Sequence, residues 1–280
     1  MANDLISVAM ATYNGEKFLR QQLDSVFSQT YPELEVVVTD DGSTDATLLI
    51  LQEYSKNYPL RYEVNERRLG VVKNFEKAIS LCTGTYIALS DQDDVWRNDK
   101  LAISLMKMKE IESLHPDIPV LVHTDLCVVD EELGVLFDSM WKGQKTYPEL
   151  YKQPEQVAIQ NLVTGCTVLM NRAALKRVTP FPAEALMHDW WIAINVIKYG
   201  IIGSIPETTV YYRQHKNNQI GFKSAGLFGN LYQLFDFRRS VNAYSGLWRM
   251  LKRLDFKVYV FKLLYYKIIF FILVRRKHRD

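Results

Sequence analysis

The sequence predicts an α/β fold built on a parallel sheet, and three observations predict it. Short apolar or β-branched runs alternate with stretches of helical periodicity from the N-terminus onward. Polar clusters rich in aspartate follow several of those runs. The 280 residues, 48% apolar and 24% charged, suffice for one large domain with a sizeable core, or one domain and an appendage.

Leu5 to Ala11 is the first expected strand, and Asn14-Gly15 turns the chain. Phe18, Leu19, Leu23, Val26 and Phe27 recur at helical spacing. Val36-Val37-Val38 is the second strand, ending in Asp40-Asp41-Gly42. Ser43, Thr44 and Asp45 supply helix N-cap chemistry for a face made by Leu48, Leu49, Leu51 and Tyr54. Arg61 to Asn65 reads as the third strand and Val71 to Leu81 as a helix, with Gly84 suited to its C-cap. Tyr86 to Leu89 is the fourth strand and runs into Ser90-Asp91-Gln92-Asp93-Asp94. This half reads as a layered nucleotide-binding unit.

Beyond it the pattern weakens. Val120 to Val122 is expected as a strand closed by His123-Thr124-Asp125. Residues 139–156 look irregular, and 161–170 form an apolar stretch containing Gly165. Ala185 to Tyr199 has helical periodicity and carries His188-Asp189-Trp190-Trp191, while Tyr211 to Gly221 reads as a polar loop.

Charge is uneven. Residues 223–280 carry 13 Lys/Arg against 3 Asp/Glu, whereas residues 1–222 carry 21 against 29. An acidic body with a basic tail points to an anionic partner for the tail. The apolar run 258–274 is interrupted by Lys262 and Lys267. That pattern suits a helix lying in a membrane interface; a packed or oligomer-forming helix and a true span are the alternatives. Nucleic acid is excluded as the expected partner, because no recognised binding fold accompanies the charge. Cys82, Cys127 and Cys166 are far apart, odd in number and lack zinc-ligand spacing, so reduced core thiols are expected. The N-terminus has no basic start followed by an apolar run, so no signal peptide is expected.

In open α/β sheets, ligands bind beyond the carboxyl ends of the strands. Thr12-Tyr13-Asn14, Asp40-Asp41, Asp91 to Asp94 and His123-Thr124-Asp125 all fall at such expected ends. Three carboxylates within four residues are stable together when solvated or when a cation sits among them. Neither glycine-rich phosphate motif is present, so any diphosphate must be held through a metal or through basic side chains.

Ala11-Thr12-Tyr13-Asn14-Gly15, Asp40 to Asp45, Asp91 to Asp94, His188 to Trp191 and Tyr212-Arg213-Gln214-His215 occur in this order. Together they resemble the family 2 glycosyltransferases of GT-A fold. The run Ser90 to Trp96, with Tyr212 to His215 and Asn218, is most similar to the bacterial rhamnosyltransferase branch. The resemblance covers roughly residues 4–222, and it implies a Rossmann-like mixed sheet flanked by helices. On this basis residues 1–222 form the transferase domain and 223–280 a basic helical tail.

Roles follow from the resemblance alone. It implies that Thr12 and Tyr13 line the base pocket and that Asp40 accepts from the pyrimidine edge. Arg68 is implied to reach the base or the phosphates, and Asp91 the ribose. Asp93 is implied to ligate Mg²⁺ or Mn²⁺, with Asp94 supporting the loop and His215 completing the metal site or touching a phosphate. Asp189 is implied to be the general base of a single inverting displacement. His123 and Asp125 either face the donor sugar or close a strand end. Trp190 and Trp191 are either core or pocket wall, or a sugar platform. The implied donor is dTDP-L-rhamnose, with a UDP-hexose donor or a catalytically silent sugar- or nucleotide-binding module as alternatives. A saccharide or lipid-linked acceptor and peripheral attachment to the cytoplasmic face of the membrane complete the expectation.

Overall fold

A computed structural model describes residues 4–216, 246–254 and Tyr265. Its frame is a nine-stranded mixed sheet. Strands β1 (Ile6–Thr12), β2 (Leu34–Asp40), β3 (Leu60–Val64) and β4 (Tyr86–Ser90) alternate with helices α1 (Leu19–Phe27), α2 (Thr47–Asn57) and α3 (Val71–Leu81). They pair in parallel in the order β3-β2-β1-β4. The expected elements of this half are all present, and α3 has the bounds its periodicity predicts.

The second half departs from a purely parallel sheet. After β5 (Val95–Trp96) and α4 (Lys100–Leu114) come β6 (Val120–Val129) and β7 (Val135–Phe137). Short helices α5 (Met140–Gln144) and α6 (Pro154–Ile159) occupy the stretch expected to be irregular. Then follow β8 (Val168–Asn171), α7 (Arg172–Val178), α8 (His188–Tyr199) and β9 (Ile201–Arg213). Strand β8 runs antiparallel between β4 and β6, whereas β6 and β9 are parallel. A helix-linked alternation specifies parallel pairing only where each crossover carries its own helix. Here β8 enters after loops and short helices, so its direction is not set that way.

Three expectations are corrected. His123, Thr124 and Asp125 do not close a strand; they lie inside the ten-residue β6. Tyr211 to Arg213 are not loop but the end of the thirteen-residue β9. Gly84 does not cap α3, whose C-cap is Cys82. Instead it sits so close to β1 that a Cβ would lie 2.5 Å from the Leu5 carbonyl oxygen.

Two cores follow from strand alternation. Ile6, Val8 and Met10 of β1 pack with Leu23 of α1, Leu51 of α2 and Met108 of α4. Ala9 of the same strand faces the other side, with Phe75 and Ile79 of α3 and Ile192 of α8. Residues 246–252 are helical, and Leu247, Met250 and Leu251 join this second core. Arg253 also pairs with Glu184 at 2.7 Å. So part of the expected tail belongs to the folded body. The run 258–274, apart from Tyr265, and Asn218 lie outside the described residues. Among those described, no helix is long and apolar enough to cross a membrane. The three cysteines are buried and free, as expected.

Candidate active site

The carboxyl ends of β1, β2 and β4 open into a cleft of about 1290 Å³. On one wall Gln92 clasps the backbone of Tyr13, accepting from its N–H at 2.9 Å and donating to its carbonyl at 3.1 Å. This bond pair locks the end of β1 to the Asp91–Asp94 loop. The Arg68 guanidinium lies 3.9 Å from the Tyr13 ring centroid, a cation–π contact that leaves both groups on the cleft.

Asp40 and Asp41 take different jobs. Asp40 is fully buried and accepts from the Thr12 and Ser43 hydroxyls at 2.7 and 2.6 Å. It also accepts from the N–H groups of Gly42 and Ser43. Its two oxygens thus accept four hydrogen bonds from the end of β1 and from the turn, and Asp40 is not among the residues that line the cleft. Asp41 lines the cleft instead. It accepts from the N–H groups of Leu69 and Gly70 at 2.6 and 2.8 Å, and so holds the turn into α3 that carries Arg68. Gly70 there has φ of 79°, a left-handed conformation that favours glycine.

The acidic loop after β4 divides likewise. Asp93 faces the cleft and meets His215 Nε2 at 2.8 Å. Asp94 is fully buried and accepts from the Arg213 N–H at 3.1 Å. Arg213 also donates its Nε to the Asp93 carbonyl at 2.9 Å and a guanidinium nitrogen to the Glu131 carbonyl. This buried cation ties β9 to the acidic loop, and its neighbour-but-one His215 is thereby set against Asp93. Composition and local pattern mark Arg213 only as a motif letter; its role depends on contacts more than 80 residues away.

Asp91 also lines the cleft. Burial foremost, then the charges of Asp93 and Asp189, pushes its carboxyl well above the usual carboxylate range. Asp94 is raised too, by burial first and then by the charges of Asp93 and Asp91, and among the described residues its Oδ2 has no hydrogen-bond partner. A site that disfavours its own negative charges favours a cation. Asp93 and His215 offer a carboxylate and an imidazole on the cleft, and this set fits a hard divalent ion that also takes diphosphate oxygens. Asp91, Asp94 and Cys166 also bring ligand atoms within 4.8 Å of one another. That grouping suits Mg²⁺ or Mn²⁺ poorly, because burial keeps the Cys166 thiol protonated and thiolates prefer softer metals.

Helix α8 begins at His188, three residues later than its periodicity predicts, which puts Asp189 in its first turn. The Asp189 carboxylate lines the cleft and accepts from the N–H groups of Gly165 at 3.2 Å and Trp190 at 2.6 Å. Burial raises its pKa to about 6. The two tryptophans separate: Trp190 lines the cleft, while Trp191 is 5% exposed and donates its indole N–H to the Val178 carbonyl. Trp191 is thus core, and only Trp190 is placed to meet a ligand.

His123 and Asp125 do not reach the cleft wall. His123 is fully buried, with Nε2 at 2.8 Å from the Ser204 hydroxyl. Asp125 accepts from the Ser139 hydroxyl and the Trp141 N–H, anchoring the start of α5. Met140 and Gln144 of that helix line the cleft in their place.

Comparison with known proteins bears on the fold and the family. The chain is 27% identical over 259 residues to the dTDP-rhamnosyl transferase RfbG of Shigella flexneri, covering 84% of each protein. It is also 27% identical over 216 residues to an uncharacterised protein of Mycobacterium tuberculosis, covering 75% of this chain. It spans 59% of the length of such mycobacterial relatives. Among solved structures it superposes on TarS of S. aureus in complex with UDP-GlcNAc with a TM-score of 0.60 at 22% identity. That match covers 76% of this chain and 60% of the other. The mannosyltransferase PcManGT of Pyrobaculum calidifontis, in complex with GDP-Man and Mn²⁺, gives 0.55 at 19% identity, covering 96% of this chain and 79% of its own. Such likenesses establish the GT-A fold. The model of one family, described as Glycosyl transferase family 2, matches residues 7–177, more than half of the chain, and the chain belongs to that family.

Proposed function

We propose that this protein transfers a sugar from a nucleoside diphosphate to a hydroxyl of a saccharide or lipid-linked acceptor, inverting the anomeric centre. One observation carries the reading: a carboxylate with its pKa near 6, Asp189, shares a cleft with the acidic loop that suits a cation and a diphosphate. Tyr13 and Arg68 offer a flat face and a charge to the base or phosphates. Asp91 binds the ribose. Asp93 and His215 would hold Mg²⁺ or Mn²⁺, which when bound neutralises charge on the departing diphosphate.

The residues do the rest. The acceptor hydroxyl attacks the anomeric carbon while Asp189 takes its proton. The bond from that carbon to the diphosphate oxygen breaks in the same step, and the proton passes from Asp189 to solvent afterwards. Backbone donation from Gly165 and Trp190 fixes the direction in which the carboxylate points.

dTDP-L-rhamnose is the favoured donor, supported by RfbG over most of both chains. A UDP-sugar is the second reading, supported by the UDP-GlcNAc complex of TarS. Incubation with dTDP-L-rhamnose, UDP-hexoses and a panel of saccharide acceptors, with Mn²⁺ or Mg²⁺, tests both by release of nucleoside diphosphate. Release with none of them would leave a silent binding module as the better reading. Peripheral membrane attachment is proposed for the chain beyond the docked segment. Deletion of residues 255–280 should abolish partition into the membrane fraction, and unchanged partition would refute the attachment.

A further inference from the structure

His188 is 4% exposed and lines the cleft, yet among the described residues neither of its buried ring nitrogens has a hydrogen-bond partner. The ring stacks on Phe75 of α3, with centroids 3.9 Å apart and planes 19° from parallel. Its Nε2 faces Gly165 so closely that a Cβ on that glycine would lie 2.7 Å away. The same glycine donates its N–H to Asp189. A ligand group bonded to His188 therefore sits beside the carboxylate assigned as base.

An imidazole is a poor choice for packing alone. A phenyl ring would make the same stack without leaving two polar atoms unpaired, which is destabilising in a buried site. The chemistry of the missing partner can be narrowed. Burial lowers the His188 pKa to about 3, so the ring is neutral at ordinary pH and offers one donor and one acceptor. A phosphate oxygen only accepts, and it would favour the cationic ring that this site disfavours. A hydroxyl can serve either nitrogen, donating to the bare one or accepting from the protonated one.

We propose that His188 hydrogen-bonds a carbohydrate hydroxyl in the cleft, on the donor sugar or on the acceptor, and so helps determine which sugar is used. This inference rests on the glycosyltransferase reading above.

The test is His188→Phe, which keeps the stack on Phe75 and removes both nitrogens. Melting temperature should hold or rise, and affinity for dTDP and UDP should stay unchanged. Transfer, as kcat/KM, should fall about ten- to thirtyfold for the loss of a buried hydrogen bond. Donor hydrolysis without acceptor separates the two sources. A parallel fall places the hydroxyl on the donor sugar, and retained hydrolysis places it on the acceptor. Unchanged transfer and hydrolysis would mean that the nitrogens serve a buried water only, and would overturn the proposal. A matching loss of dTDP or UDP affinity would overturn it too. If His188→Phe does not fold, His188→Asn, which keeps a donor and an acceptor, should transfer within about threefold of the parent; a tenfold loss would overturn the proposal. If the parent protein binds nucleotide but transfers nothing, the function reading fails separately. His188 is then judged by calorimetry with dTDP-L-rhamnose, UDP-glucose and methyl glycosides, and equal affinities in parent and His188→Phe would overturn the contact.

Discussion

Two acidic pairs stand at the ends of β2 and β4, the strands on either side of β1, and they are satisfied in opposite ways. Asp40 and Asp41, after β2, accept from hydroxyls and backbone N–H groups of their own turn and of the turn into α3. Asp91 and Asp93, after β4, do not. Among the described residues no N–H or O–H donates to the Asp91 carboxylate, and the hydrogen-bond partner of the Asp93 carboxylate is the His215 ring. A carboxylate surrounded by donors stabilises the fold around it. One left among like charges stores a demand for a cation or a ligand. The difference separates framework from reactive site among aspartate clusters that look alike in the sequence.

The largest test lies at Asp189, which shares the cleft with Asp91 and Asp93. Asp189→Asn should lower transfer by about 10²–10⁴ while leaving nucleotide affinity unchanged, the range expected for a lost general base. Full transfer would remove Asp189 from that role. The pH profile gives the sign independently. Because burial raises the Asp189 pKa to about 6, the ionised base is present above that pH and lost below it. Transfer should fall about tenfold per unit as pH drops under 6 and stay flat above. Stability runs the other way. A group whose folded pKa is raised contributes stability below its unfolded value and loses it as pH rises through about 6. Asp189→Asn should therefore be at least as stable as the parent at pH 8, measured by thermal melting.

Next comes the unsatisfied pair itself. Asp93→Ala should weaken donor affinity on the order of 100-fold in the presence of Mn²⁺ and remove its metal dependence. Calorimetry with and without a chelator reads this directly. Metal dependence that survives the substitution would break the contrast between the two pairs.

Arg68→Ala should raise the donor Kd about tenfold, the scale of a partly desolvated cation–π and phosphate contact. It should leave melting temperature within about a degree, since Arg68 is largely exposed at the rim. An equal effect on Asp189-dependent chemistry, seen as a fall in kcat at saturating donor, would move Arg68 from binding to the reaction centre.

How much of this was legible in the sequence follows the same division. The β1–β4 half was readable because its signals are local: apolar runs of strand length, helical spacing, and turn residues between them. The second half was not, because its polar residues are satisfied at long range. His123 meets Ser204, and Thr124 meets Thr209, across the parallel β6–β9 pair. Read without those partners, buried polar residues look like a strand end. Arg213 misleads likewise, since its charge is compensated by carbonyls of Asp93 and Glu131 that no local window contains. Within the site, the aspartate clusters were visible, and the resemblance supplied their roles. That Asp41 rather than Asp40, and Asp91 and Asp93 rather than Asp94, line the cleft was fixed only by the turn geometry.

Asp40→Asn carries the smallest expected effect on activity and sharpens the contrast most. Asparagine keeps one carbonyl oxygen for the N–H groups of Gly42 and Ser43. Its amide then faces the Thr12 and Ser43 hydroxyls, which can rotate to accept instead of donate. The turn should survive with a cost of about 1 kcal/mol, seen as a small drop in melting temperature. Donor KM should stay within about twofold of the parent, because a fully buried side chain with both oxygens engaged has no free acceptor for a base. A tenfold rise in KM with melting temperature unchanged would mean that Asp40 turns out of its cage to meet the nucleotide. The pair after β2 would then belong to the reactive site rather than to its frame.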